Sequence, residues 1–297
     1  MSEPFNARLR AVQRRTNSAL CVGLDVDPAR LPAGLSQDHH GFERFVRGIV
    51  DATADVVCAY KPNLAFYEAM GEHCYSLLRA TLDAVPGDLI TIADAKRGDI
   101  GTTAERYATA IFDVLGFDAM TVNPYQGADS VEPYIRDSGH GALILCKTSN
   151  PGSADFQDLR SDDEGGAPLW EIIARRAAGW NGRGNVGLVV GATYPAQLAR
   201  VRELAPDLPI LVPGVGAQGG DAAESARVGA APDGTLAIVS ASRQVLYASS
   251  GPDWQEAARR EAVALRDAMR AVTARGEPVE PHVLRQAQDE RTPSAGR

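Results

Sequence analysis

Short apolar runs rich in β-branched residues alternate along the chain with longer segments in which apolar residues recur every three or four positions. The first pattern predicts buried strands and the second predicts amphipathic helices. Strands are predicted at residues 20–25, 56–61, 89–94, 119–123, 142–147, 186–190, 210–213 and 236–240. Helices are predicted at residues 41–54, 64–84, 102–116, 129–138, 168–179, 195–205, 220–229 and 253–275.

This regular alternation predicts an α/β fold with a parallel sheet. Eight βα units in a chain of about this length are typical of a closed (β/α)8 barrel, or TIM barrel, whose active site lies at the C-terminal ends of the strands. A doubly wound open sheet is the alternative. We expect a single barrel domain over residues 1–275, followed by a polar, disordered tail over residues 276–297.

One connection is unusually long for a barrel. Residues 149–168, which follow the fifth predicted strand, are rich in Gly, Pro, Ser and Asp. Long connections without helical or strand pattern are either functional lids or slack surface loops. Because the segment follows a strand on the active face, we favour the lid.

Charge and composition narrow the possible partners. The formal net charge is -8 and no dense basic run appears, so neither nucleic acid nor an anionic membrane is an expected partner. A small anionic substrate needs only a few local cations and remains compatible with this charge. The N-terminus lacks a signal-peptide pattern and no apolar run could span a bilayer, so we expect a cytoplasmic protein. The four cysteines lack metal-site spacing and are expected to be buried, reduced thiols.

Charged residues lie at or just after the C-terminal ends of the first three predicted strands, where each buried apolar run stops. Strand three leads into Asp94, Lys96 and Asp99, strand two ends at Lys61, and strand one ends at Asp25. Since side chains alternate along a strand, Asp94 and Lys96 should share one face at the barrel mouth. One such pair could be a simple stabilising ion pair. Buried ion pairs are costly, however, so four converging charges favour a functional site.

A glycine-rich loop, PGVGAQGGD, follows the seventh predicted strand. It contains the G-x-G-x-x-G pattern of dinucleotide-binding folds, but that pattern belongs to the first βα turn of an open sheet. In barrels, the loops after strands seven and eight commonly bind phosphate through backbone N–H groups. Arg243, just after strand eight, would supply a bidentate cation. A merely flexible turn is the alternative.

Several motifs together resemble those of one family. DAKRGDIGTT resembles the D-x-K-x-x-D-I-x-x-T motif of orotidine 5′-phosphate decarboxylases. LDVDP, AYKPN, KTSNPG, PGVGAQGGD and the arginine of VSASR occur in the order that this family uses, so the resemblance covers about residues 20–245. The D-x-K-x-x-D element alone also occurs in hexulose-phosphate synthases and keto-gulonate-phosphate decarboxylases, where the acids help to hold Mg²⁺.

The resemblance implies conversion of orotidine 5′-phosphate to uridine 5′-phosphate, with neither a metal nor an organic cofactor. It implies a catalytic network of Lys61, Asp94 and Lys96 in which Lys96 donates the proton. Asp99 would complete this network from the neighbouring subunit of a homodimer. The resemblance also implies substrate binding by Asp25, Thr103, Ser149, Gln218, Gly219 and Arg243.

One position departs from the family, and three other functions stay open. Many members have glycine directly before the phosphate-binding arginine, where this chain has Ser242. A metal-dependent sugar-phosphate lyase could use Asp25 and Asp94 as Mg²⁺ ligands. A Schiff-base aldolase could use Lys61 or Lys96 as its nucleophile. The chain could also be a non-catalytic sensor of a phosphorylated ligand.

Overall fold

Eight parallel strands close into a barrel in a computed structural model that describes residues 3–216 and 219–273. Consecutive strands pair with one another, and the last strand pairs with the first to close the ring. The closed (β/α)8 barrel is therefore confirmed and the open-sheet alternative is wrong. The strands are β1 Leu20–Gly23, β2 Ala59–Lys61, β3 Ile90–Arg97, β4 Ala119–Val122, β5 Gly141–Lys147, β6 Val186–Val190, β7 Ile210–Val212 and β8 Ala237–Ala241.

Helices cover the outside of the barrel and close its N-terminal end. The α-helices are Phe5–Thr16, His39–Thr53, Leu64–Glu68, Cys74–Ala84, Gly101–Ala108, Ala128–Ile135, Ala154–Gln157, Leu169–Trp180, Pro195–Leu204, Ala222–Gly229, Arg243–Leu246 and Trp254–Thr273. A π-helical segment, Thr109–Leu115, continues the helix Gly101–Ala108. Among the helices that the structure describes, none has the length and apolar character needed to cross a membrane.

Two helical predictions differ from the structure. The predicted helix over residues 64–84 is broken, because Gly71 has a positive φ of 61° that a right-handed helix cannot include. The N-terminal helix Phe5–Thr16 was not predicted, because the segment is strongly polar and Phe5, Leu9 and Val12 are its only large apolar residues. Phe5 and Leu9 are nevertheless buried at the bottom of the barrel.

Apolar side chains fill the barrel interior except at the C-terminal ends of the strands. One cluster packs inside the barrel above Phe5 and Leu9, and includes Ile92, Leu143 and Ile238. A second, larger cluster lies between the strands and the surrounding helices. All four cysteines are buried and free, as predicted. Within the described part of the barrel interior, the lower layers are packed and a cavity opens at the C-terminal ends of the strands.

The long connection after β5 has structure of its own. It contains the short helix Ala154–Gln157 and an antiparallel ribbon in which Arg160–Ser161 pairs with Ala167–Pro168. The segment therefore contains local structure that the sequence did not predict, and its motion as a lid stays a prediction. The predicted tail over residues 276–297 lies outside the described residues, and the domain boundary at residue 275 also stays a prediction.

Candidate active site

A cavity of about 530 Å³ opens at the C-terminal ends of the barrel strands. This volume lies within the range of ordinary small-molecule sites. Apolar residues form its floor, and charged or polar residues form its walls and mouth. The lining residues are Asp25, Lys61, Asn63, Asp94, Lys96, Thr121, Leu145, Thr148, Ser149, Asn150, Gln157, Val189, Leu211, Pro213, Gly214, Val215, Ser240, Ser242 and Arg243.

Asp94 lies between two lysines in this cavity. Its Oδ2 accepts a hydrogen bond from Lys61 Nζ at 2.8 Å, and its Oδ1 accepts one from Lys96 Nζ at 2.5 Å. Thr121 Oγ1 donates to the same Oδ1 at 3.1 Å. Asp25 Oδ1 lies 4.0 Å from Lys61 Nζ. The structure thus brings together the four charged residues that end the first three strands.

A bulge in β3 directs Lys96 towards Asp94. Between two paired positions, β3 advances from Ala93 to Arg97 while β4 advances only from Met120 to Val122. Lys96 has a positive φ of 47°, which is uncommon for a residue other than glycine and marks a locally strained backbone. The predicted proximity of Asp94 and Lys96 is therefore correct, but a bulge and not the regular alternation of a strand produces it.

The two central groups stabilise each other's charged forms. Burial alone would lower the pKa of Lys61, but the negative charges of Asp94 and Asp25 outweigh this effect and hold that pKa above its usual value. Burial alone would raise the pKa of Asp94, but Lys61 and Lys96 outweigh it and hold that pKa well below its usual range. Both groups are therefore ionised at neutral pH. Such buried charge is a poor way to stabilise a fold and is typical of functional sites.

Asp25 presents an unused acceptor to the cavity. Its Oδ1 is buried and has no hydrogen-bond partner among the residues that the structure describes. Leaving a buried acceptor unpaired is costly, so such an atom usually awaits a water molecule or a ligand. A ligand hydroxyl beside Lys61 could satisfy it.

The opposite wall carries part of the predicted phosphate site. Arg243, the first residue of the helix Arg243–Leu246, lines the cavity. Gly219 is not among the lining residues, and its N–H donates to Gly216 O at 2.8 Å within the glycine-rich loop. Gln218 lies outside the described residues. Ser242 Oγ donates to Gly23 O at 3.2 Å, so β1 accommodates the serine that replaces the family's glycine.

Asp99 and Thr103 lie outside this cavity. Asp99 Oδ1 accepts a hydrogen bond from the N–H of Ile100 at 2.8 Å, and Thr103 is exposed on the helix Gly101–Ala108. A single chain does not bring either residue to its own Lys96. Their predicted contribution across a dimer interface stays a prediction.

Sequence reasoning missed several polar residues of the cavity wall, among them Thr121, Asn63 and Gln157. Thr121 is the penultimate residue of β4 and also accepts a hydrogen bond from the N–H of Lys96 at 2.9 Å. Its inward position at a strand end was a usable signal. Asn63 follows β2 directly and offered a similar signal. Gln157 comes from the irregular segment after β5, where no periodic pattern could have indicated it.

Comparison with known proteins places the chain in a family. Residues 18–260 match the model of the orotidine 5′-phosphate decarboxylase / HUMPS family. The chain belongs to this family. The matched region contains the whole barrel and every described residue of the cavity wall.

Individual members are similar over nearly their whole length. The orotidine 5′-phosphate decarboxylase of Roseiflexus sp. (strain RS-1) is 51% identical over 268 residues, which cover 90% of this chain and 97% of that protein. The one from Paracidovorax citrulli (strain AAC00-1) is 51% identical over 279 residues, covering 92% and 99%. The solved structure of Leishmania donovani OMP decarboxylase superposes with a TM-score of 0.79 at 38% identity, covering 92% of this chain and 99% of that one.

Proposed function

We propose that this protein converts orotidine 5′-phosphate to uridine 5′-phosphate in pyrimidine biosynthesis. It is a carboxy-lyase, and it works without a metal or an organic cofactor. The observation that carries the proposal is one carboxylate, Asp94, held between Lys61 and Lys96 at the mouth of a cavity whose opposite wall presents Arg243. Relatives about half identical to this chain, all named for this activity, support it.

Lys96 is the proton donor in the proposed reaction. The bond between C6 of the pyrimidine and its carboxyl carbon breaks, its electron pair stays on C6, and CO₂ leaves. The ammonium of Lys96 stabilises this developing negative charge and then transfers a proton to C6. The side chain of Lys96 is 51% exposed at the cavity mouth, so solvent can restore its proton after each turnover.

Asp94 has two roles in this mechanism. It holds Lys96 in position, and it lies beside the substrate carboxylate, where like-charge repulsion is relieved as CO₂ leaves. Lys61 keeps Asp94 ionised for both roles. Because the pKa of Lys61 is raised, this lysine remains a fixed positive charge and not a second proton donor.

In this proposal, the other walls of the cavity bind the ribose, the base and the phosphate of the nucleotide. Asp25 binds a ribose hydroxyl through its unpaired oxygen. Ser149 reads the pyrimidine edge, and Arg243 binds the phosphate together with Gln218 and Gly219. Contacts to the remote phosphate can raise turnover as well as affinity when their energy holds the ring against Lys96.

The proposed enzyme is a homodimer. Asp99 and Thr103 are exposed or partly exposed next to two apolar side chains, Ile100 and Tyr107, that also reach the surface. An apolar surface beside polar residues is typical of an interface. In the dimer, Asp99 completes the partner's charge network and Thr103 contacts the partner's substrate.

The structure gives less support to the other functions. A magnesium-dependent lyase needs carboxylate oxygens for the metal, but both oxygens of Asp94 already accept hydrogen bonds from ammonium groups. A Schiff-base aldolase needs a neutral amine, and the raised pKa of Lys61 works against one. A non-catalytic sensor has no need of two lysines around a buried carboxylate.

A direct assay tests the proposal. Purified protein is mixed with orotidine 5′-phosphate, and the ultraviolet absorbance change of the pyrimidine is followed before and after exhaustive EDTA treatment. We expect turnover that survives EDTA, and a loss of at least about 10³-fold in Lys96→Ala. Absence of turnover by the wild-type protein, or its abolition by EDTA, would overturn the proposal.

A further inference from the structure

Lysine is rare in this chain, and its three occurrences share one kind of position. Only Lys61, Lys96 and Lys147 are lysines among the 30 basic residues, and all others are arginines. All three lie at the C-terminal ends of barrel strands, namely β2, β3 and β5. Where any cation would suffice, the chain carries arginine. The third lysine therefore stands where the compact ammonium is needed, although the proposed reaction does not use it.

Lys147 is buried beside the cavity and not in its lining. Its side chain is 1% exposed, and its Nζ donates to Asp158 Oδ1 at 2.8 Å. The same Nζ lies 4.9 Å from the centre of the Tyr194 ring. The register of β5 is irregular at this point, because Leu145 pairs with Val189 while Lys147 pairs with Val190. Burying an ammonium group with a single carboxylate partner carries a desolvation penalty that their attraction often fails to offset, so fold stability alone does not explain this pair.

The partner of Lys147 belongs to the segment that forms one cavity wall. Gln157, the residue before Asp158, accepts a hydrogen bond from Thr148 N at 2.9 Å through Oε1 and donates to Thr148 Oγ1 at 2.8 Å through Nε2. Two consecutive pairs, Lys147 with Asp158 and Thr148 with Gln157, thus join the end of β5 to the middle of this segment. We call these two pairs the clasp. The chain between them begins with Ser149.

The other side of Ser149 is equally restricted. A Cβ atom at Gly191, which follows β6, would lie 2.8 Å from Ser149 Cβ and 2.9 Å from its backbone nitrogen. The glycine therefore allows a close approach that a larger residue would prevent. Ser149 is held between Gly191 on one side and the clasp on the other.

We propose that Lys147 is a positioning residue, which closes the clasp with Asp158 and thereby holds Ser149 at the pyrimidine end of the cavity. This inference rests on the proposed function, in which Ser149 reads the base. It goes further by giving a role to the third lysine and to Asp158 and Gln157. The clasp acts on recognition of the base and not on the phosphate site, which lies on the opposite wall.

The variant Lys147→Met separates this role from a purely structural one. Methionine fills the buried space, and the 46% exposed Asp158 can be hydrated once its partner is gone. We therefore expect an unfolding temperature no lower than that of the wild-type protein. We also expect the Kd of uridine 5′-phosphate to rise about tenfold, and that of ribose 5-phosphate, which lacks the base, to change less than roughly twofold. Unchanged affinity for both ligands, or equal weakening of both, would overturn the proposal.

Three further variants complete the test. Asp158→Asn should show the same selective loss, with a lowered unfolding temperature because it leaves a buried ammonium without its counter-charge. Lys147→Arg should not restore base affinity, because the planar guanidinium does not fit the site of an ammonium. Asp55→Asn is the matched control. It removes an exposed ion pair with Arg259 on the outside of the barrel and should alter binding of neither ligand.

The two proposals can fail separately. If the wild-type protein neither turns over orotidine 5′-phosphate nor binds uridine 5′-phosphate, the proposed function is wrong, and the clasp proposal falls with it. If the wild-type protein does both and Lys147→Met binds the two ligands as the wild-type protein does, only the clasp is wrong.

Discussion

At the ends of β2 and β3, one carboxylate, Asp94, is shared by two ammonium groups, whereas at the end of β5 the carboxylate of Asp158 pairs with Lys147 alone. The same two residue types therefore occur in two arrangements on one barrel edge. Asp94 is 11% exposed and faces the cavity, while Asp158 is 46% exposed and lies outside its lining.

The two carboxylates, Asp94 and Asp158, differ in how far they are shielded from water and in how many ammonium groups they contact. Asp94 is less accessible to water and has two ammonium partners, so its charge and those of its two lysines form a fixed, preorganised field of the kind that stabilises a transition state. Asp158 can exchange its partner for water at little cost. A lysine–aspartate pair of that kind fixes the position of a segment and contributes little to the field in the cavity. The buried carboxylate with two partners, Asp94, therefore suits the proposed chemistry. The more exposed carboxylate with one partner, Asp158, suits the positioning of a segment.

The largest expected effect comes from Asp94→Asn. It removes the negative charge that Lys61 and Lys96 share and replaces one of the two acceptor oxygens with an amide NH2 group, so we expect kcat/KM to fall by at least about 10³-fold. The free energy of unfolding should fall by about 3–5 kcal/mol because Lys61 remains buried without its principal partner. Steady-state kinetics and urea unfolding measure the two effects. If Asp94→Asn lost no more activity than Asp158→Asn, the distinction between the two regions would be wrong.

Strand alternation was sufficient to predict the barrel and its charged edge. Because the ends of parallel strands meet at one rim, Asp25, Lys61 and Asp94 could be brought together from their positions in the sequence alone. The break at Gly71 was not predictable, because a glycine can adopt either sign of φ and tertiary packing decides which. The helix Phe5–Thr16 depends on burial against the barrel bottom, which its own pattern barely shows.

The register irregularities in β3 and β5 could not be predicted from the sequence. Simple alternation places Lys96 on the face of Asp94, and the two do meet, but through a bulge in β3. Alternation equally places Lys147 on the face of Leu145, yet Leu145 lines the cavity and Lys147 does not. Nothing in the local sequence distinguishes the two cases. Gln157 reaches the cavity only because the segment after β5 folds back on Thr148, a long-range contact without a periodic signal.

A smaller effect is expected from Arg243→Ala, which alters the wall opposite both lysine regions. Loss of a charge-assisted contact to phosphate should lower kcat/KM by about 10²-fold. The unfolding temperature should stay within a few degrees of that of the wild-type protein, because Arg243 is exposed. Kinetics with orotidine 5′-phosphate and ribose 5-phosphate affinity are the measurements. Wild-type kcat/KM in this variant would remove Arg243 from the phosphate site.

Gly191→Ala tests the β5 region from the side opposite the clasp. The added methyl group would meet Ser149, so we expect uridine 5′-phosphate to bind about tenfold more weakly, with ribose 5-phosphate unaffected. Gly179→Ala is the matched control, since a Cβ there meets nothing within 4 Å on the helix Leu169–Trp180. Isothermal titration with both ligands decides the result. Equal binding by the two alanine variants would show that Ser149 is not held as we describe.

The smallest effect concerns pH and tests the enclosure of Asp94. Its pKa in the folded protein is below that of an unfolded chain, so its stabilising contribution is complete above about pH 4 and is lost as pH falls further. The raised pKa of Lys61 places the corresponding loss for that group above about pH 10. The difference in unfolding free energy between the wild-type protein and Asp94→Asn should therefore be constant between about pH 5 and pH 8 and shrink below about pH 4. Urea unfolding across this range measures it. A difference that already declined between about pH 7 and pH 5 would mean that Asp94 takes up a proton near neutral pH and is not enclosed by its two lysines.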